Sequence, residues 1–130
     1  MSIESKLTEL GITLPEAPAP AANYVPWVIS GNLLFVSGQI SALKGRLGDD
    51  LAVEQGAEAA RGCGLSLLAQ ARAALGSLDR VARVVKLGGF VNSTATFTDQ
   101  PEVVNGCSDL MVEVFGERGR HARALSLIHI

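Results

Sequence analysis

The 130-residue sequence is short of the residues that mark many specialised proteins, and each shortage excludes a class. There are two cysteines, Cys63 and Cys107. They fit no metal-ligand spacing, and one possible pair is no disulfide framework, so both are expected as reduced, buried thiols. No 18 apolar residues run together, so no transmembrane helix is expected, and "MSIESKLTEL" carries charge where a signal peptide needs an apolar stretch. A soluble, cytoplasmic protein is the expectation, with no membrane partner. Aromatic residues are only 5% and net charge is −2, which provides neither stacking platforms nor a basic groove for nucleic acid. Missing too are the Gly-rich phosphate loop, the Rossmann glycine triplet, HExxH, CxxC and G-x-S-x-G. His121 and His129 have no partner at ligand spacing, so no metal or other cofactor is expected.

What is present is a patterned apolar chain. Its length suits one domain over residues 1–130, and apolar residues at 48% suffice for a core. "SIESKLTELG" reads as a short helix capped by Ser2, with Ile3, Leu7 and Leu10 on one face and Gly11 as its stop. "LPEAPAPAAN" holds three of the five prolines and reads as an extended surface connection. "YVPWVIS" and "LLFVSG", split by Ser30-Gly31-Asn32, predict a β-hairpin. "GRLGDD" reads as a loop. Helical spacing of Val53, Ala57, Ala60, Gly64, Leu67, Leu68, Ala71, Ala74 and Leu75 predicts a helix over 53–75. Gly62 and Gly64 each cost it about 1 kcal/mol, and close approach of another backbone is the expected compensation.

"RVVKLGGFVNS", residues 83–93, reads as a strand buried on both faces, with Gly88 and Gly89 marking a bulge or tight contact. A second helix follows, capped by Thr98 or Asp99, with Pro101 in its first turn. Val103, Cys107, Leu110, Met111 and Val114 form its apolar stripe, and Gly116 its end. The tail "ALSLIHI" reads as a final strand. The order hairpin, helix, strand, helix, strand predicts an α/β (α+β) layer, a sheet with both helices on one face.

The chemistry left over is sparse. Ser37-Gly38-Gln39 at a strand end reads as a turn, or as a place where a ligand approaches the backbone. Arg123 reads as a surface arginine or as a clamp for an anion. Tyr24 is a strand aromatic with a polar handle.

In combination, "PAPAANYVPWVISGNLLFVSGQI" (18–40), "EQGAEAARGCG" through "GGFVNS" (54–93) and "FTDQPEVVNGCSDLMVEVFGERGRHAR" (97–123) resemble the Rid family, also called YjgF. The closest subgroup resemblance is to the one labelled endoribonuclease L-PSP, chorismate mutase-like. The resemblance implies a mixed sheet with two helices on one face, assembled as a homotrimer with sites in the clefts between subunits. It implies hydrolysis of reactive 2-imino acids such as 2-iminopropanoate to keto acid and ammonia. It places Arg123 as the carboxylate-binding, catalytic arginine, Ser37 and Gly38 as the pocket-lining pair, and Tyr24 as the pocket's cover. A helix residue of the family matches either Asn105 or Ser108. The family continues past its arginine through a strand, a Leu-Pro turn and a glutamate-bearing strand. "ALSLIHI" stands there instead, so the end is expected to be truncated or foreign, and "LSLIHI" resembles translated sequencing-adapter DNA. Glu117 is the nearest carboxylate to Arg123 in sequence and reads first as a solvated loop acid. Binding of a carboxylate metabolite without turnover is the alternative function, and RNA cleavage a more distant one.

Overall fold

A computed structural model describes residues 2–128. The chain opens with α1 (Ile3–Glu9), where Ser2 Oγ accepts the Ser5 N–H at 3.0 Å and Ile3 and Leu7 are buried. Leu10, expected on the same face, is 40% exposed, because the helix ends before it and Gly11 turns away at φ +71. The hairpin pairs β1 (Trp27–Ser30) with β2 (Leu33–Val36), Trp27 opposite Val36 and Ser30 opposite Leu33. Its loop is therefore two residues, Gly31 and Asn32, with Gly31 at φ +62 and Asn32 at negative φ. That is the type II′ pattern, whose twist matches the strands it joins.

The helix α2 (Val53–Leu75) occupies the range its periodicity predicts and ends on Gly76 in the left-handed region. Its fully buried positions are Gly56, Gly64, Leu68, Ala69 and Gln70, so the buried face is rotated from the expected stripe and includes an amide. Helix α3 (Gln100–Phe115) buries all five residues of its predicted stripe, together with Val104 and Phe115. Asp99 is its cap by position only, since its side chain bonds no helix N–H. The two long helices pack on each other, α2 against the hairpin and α3 against the second pair of strands.

That pair is β3 (Lys86–Asn92) and β4 (Ala122–Ile128), parallel, in register from Lys86–Ala122 to Asn92–Ile128. Parallel neighbours need a crossover, and α3 supplies it. The expected final strand is thus formed through Ile128; His129 lies outside the described residues. Strands of both senses are present, but among the described residues their ladders form two two-stranded sheets. Leu47, in the loop read as "GRLGDD", docks beside β3: its N–H donates to Asn92 O and its carbonyl accepts from Thr94 N–H, both at 2.9 Å.

One expectation fails. The 83–93 segment begins its pairing at Lys86, and only one face of it is buried: Leu87 and Val91 are covered, while Lys86, Gly88 and Phe90 are exposed. Helix α3 covers one side and no element of the described residues covers the other, so the apolar run is two-sided in composition but one-sided in burial. There is no bulge, since the register is unbroken. Gly89 is the tight contact, where an added Cβ would meet Val104 at 2.9 Å, whereas one at Gly88 would meet nothing.

Candidate functional site

Arg123 sits second in β4, and its half-buried side chain reaches across to α3. Nη1 donates to Asn105 Oδ1 at 2.7 Å and Ser108 Oγ at 3.1 Å, and Nη2 donates to the Pro101 carbonyl at 3.3 Å. Asn105 and Ser108 are three apart on a helix and so share one face. The two residues left open by sequence both hold the guanidinium, from one side. None of the three partners is a carboxylate, and no ion pair to Arg123 occurs among the described residues. A guanidinium has five N–H donors in a rigid fork. Among the described residues Nε–H has no partner and Nη2 makes one bond, so the Nε–Nη2 edge keeps donors for a carboxylate, which a guanidinium fork can bind bidentately.

Glu117, the sequence's nearest carboxylate, turns away to Arg120 Nε at 3.1 Å with its side chain 86% exposed. Behind Arg123, Cys107 is buried and its thiol is pushed up to about 11. Burial is the main cause, the Cys63 thiol adds to it, and the Arg123 charge opposes it. Cys63 is raised too, by burial, against the pull of Lys44; it is half-buried rather than fully buried as expected. Both thiols are free.

An open cleft of about 250 Å³ surrounds the arginine, lined by Ser108, Asp109, Val112, Arg120, His121 and Arg123. The other predicted residues lie in a second depression, of about 110 Å³, between the proline-rich connection and the end of β2. There the Ser37 hydroxyl donates to Val25 O at 2.6 Å, and the Tyr24 hydroxyl accepts the Ala21 N–H at 3.2 Å. Buried Gln70 of α2 donates from Nε2 to Pro18 O at 2.6 Å, fixing the proline-rich wall, and Gly38 leaves the rim bare. Tyr24, Ser37 and Gly38 thus line one depression and Arg123 another, with no lining residue in common. Sequence reasoning missed His121 as a site residue, because its partners are a helix serine and a backbone carbonyl rather than a spaced ligand set. Nothing local in the sequence signals Gln70, which falls in a helix of mixed composition.

Residues 4–128 match the family described as YjgF/chorismate mutase-like, putative endoribonuclease. The chain is 53% identical to protein TCP17 of Trypanosoma cruzi, over 93% of this chain and 80% of that protein. Among solved structures, a putative endoribonuclease from Shewanella oneidensis superposes with a TM-score of 0.94 at 36% identity, covering 98% of this chain and 89% of that one. An Agrobacterium tumefaciens protein of unknown function gives 0.88 at 48% identity, covering 97% and 82%. With the order of elements and the two helices over the strands, these likenesses agree on one assignment: the chain belongs to the YjgF/chorismate mutase-like family.

Proposed function

We propose that the protein is an imine/enamine deaminase, hydrolysing 2-imino acids such as 2-iminopropanoate to keto acid and ammonia in clefts between subunits of a homotrimer. The observation that carries this reading is Arg123: a half-buried guanidinium steered by neutral partners, with its Nε–Nη2 edge left for a carboxylate. An intersubunit cleft accounts for the separation of the two depressions, since Tyr24, Ser37 and Gly38 of one subunit would face Arg123 of the next. Exposed side chains on β3 and the hairpin, Phe90, Phe35 and Val28, supply apolar surface for such assembly.

The chemistry asked of the site is modest. Arg123 anchors the carboxylate, which fixes the neighbouring imine carbon. Water adds to that carbon as the C=N π pair moves onto nitrogen. The carbinolamine then breaks its C–N bond, releasing ammonia as the hydroxyl oxygen forms the carbonyl. Proton transfer assists both steps.

The test is release of keto acid from freshly generated 2-iminopropanoate, after folding and assembly have been verified. Arg123→Ala is expected to lower kcat/KM about 100-fold, the loss of roughly 3 kcal/mol of charge-assisted hydrogen bonding. A folded, assembled protein that leaves the hydrolysis rate unchanged overturns the deaminase reading. Arg123-dependent binding of pyruvate in that case would make the protein a carboxylate binder.

A further inference from the structure

The deaminase reading leaves unused a histidine two residues before Arg123. His121 is half-buried, and its Nδ1 lies 2.7 Å from the carbonyl oxygen of Gly119. A carbonyl only accepts, so in the neutral ring Nδ1 carries the proton and Nε2 is bare. Ser108 Oγ is 2.9 Å from Nε2, so the hydroxyl donates to it, and Oγ accepts in turn from Arg123 Nη1 at 3.1 Å. The chain runs from guanidinium to hydroxyl to imidazole to backbone carbonyl, and its two ends dictate every proton position. The last acceptor is rigidly set. Gly119 is buried, and a Cβ there would run into the backbone of Met111 and Val112. Ser108, His121 and Arg123 line the same open cleft.

Resting on the deaminase reading, we infer that His121 is the proton-transfer residue of the Arg123 site, acting through the Ser108 hydroxyl. With its carboxylate on the Nε–Nη2 edge, the substrate extends into the cleft that Ser108 and His121 line, and the attacking water stands between its imine carbon and the Ser108 hydroxyl. As water attacks an iminium, the new C–O bond forms and the C=N π pair goes to nitrogen. The water's proton passes to Ser108 Oγ while the serine proton passes to Nε2. The imidazolium then returns that proton by the same route to the carbinolamine nitrogen. The C–N bond breaks, and the departing ammonia takes the hydroxyl proton as the ketone forms. Iminium and water become ketone and ammonium, and the histidine ends as it began. The charged groups sharing the cleft with the imidazole are Arg123 of β4, Arg120 just before it and Asp109 of α3. Arg120 is engaged by Glu117.

The experiment pairs kinetics with a readout that needs no turnover. His121→Asn can still donate to the Gly119 carbonyl but cannot carry a proton. With 2-iminopropanoate it should lose about 100-fold in kcat, keep KM within about twofold, and lose the wild type's fall in rate at low pH. Ser108→Ala should share the kcat loss, while Arg123→Lys should act mainly on KM. Nitrogen-15 NMR of the wild-type imidazole should show Nδ1 protonated and Nε2 bare, with the Nε2 signal shifting on addition of pyruvate. Full kcat in His121→Asn, an unchanged low-pH limb, or an Nε2–H ring overturns the inference. If the wild type hydrolyses no imine, the deaminase reading alone has failed. The NMR then decides the rest: a bare Nε2 that responds to pyruvate keeps His121 as the poised base of a carboxylate site, and an Nε2 indifferent to pyruvate removes it.

Discussion

Two glycines of similar appearance in the sequence behave oppositely. Gly106 of α3 lies against α2, where an added Cβ would run into the Ala57 carbonyl and backbone. Backbone offers no rotamer to relieve such a clash, so Gly106→Ala should cost about 3 kcal/mol or abolish folding, as urea titration would show. Gly62 faces open space, and Gly62→Ala should instead stabilise by about 0.5–1 kcal/mol in the same titration. The sequence suggested close approach for both Gly62 and Gly64. Only Gly64 makes it, with Cys107 Sγ and Leu110 each 2.9 Å from an added Cβ. The cysteines differ as well. Native protein treated with iodoacetamide should be modified at Cys63 first and at Cys107 only after denaturation, because Cys107 is both buried and raised to about 11. Since folding raises that thiol from 9.0, the native state favours its protonated form. The resulting stability is present below pH 9 and lost as pH climbs through about 11.

At the scale of elements, α1 is held by more than its two buried side chains. Glu4 accepts the N–H of fully buried Leu78 at 2.9 Å through Oε2 and pairs with Arg72 at 3.2 Å through Oε1, while Asp79 Oδ1 accepts the Ile3 N–H at 2.5 Å. Truncating Glu4 strands a buried donor. Glu4→Ala should therefore cost about 1–3 kcal/mol by urea melting, well above an exposed ion pair, and Arg72→Ala less than 1. None of these three long-range bonds is legible in the sequence, because the partners are more than 60 residues apart. Helix α2 was legible in its bounds, since periodicity is a local signal, but not in which face it buries. Strand β3 was legible as a strand but not in its burial, because apolar composition does not say which face another element covers.

At the scale of the molecule, the chain exposes Phe90 (76%), Phe35 (57%) and Val28 (51%) on its strands. A lone subunit gains nothing by leaving such surface wet, and assembly would cover it. If the proposed trimer uses this face, Phe90→Asp should shift sedimentation from trimer to monomer. It should also abolish imine hydrolysis with Arg123 intact, because the two depressions would no longer meet. A wild-type monomer with full activity would refute the composite cleft. No helix of the described residues is long and apolar enough to cross a membrane.

The sequence by itself determined the order of elements, the bounds of α2, the stripe of α3 and the family, because periodicity, turn chemistry and motif order are properties of neighbours along the chain. Arg123 was legible as a candidate for the same reason. Tertiary structure alone decided that Asn105 and Ser108 both hold it, that Glu117 does not approach it, and that His121 faces it through a serine. It also decided that Tyr24, Ser37 and Gly38 line a different depression from Arg123. Hydrogen-bond direction and burial depend on how α3 crosses β4, and that crossing is set by the packing of a whole layer rather than by any stretch of residues.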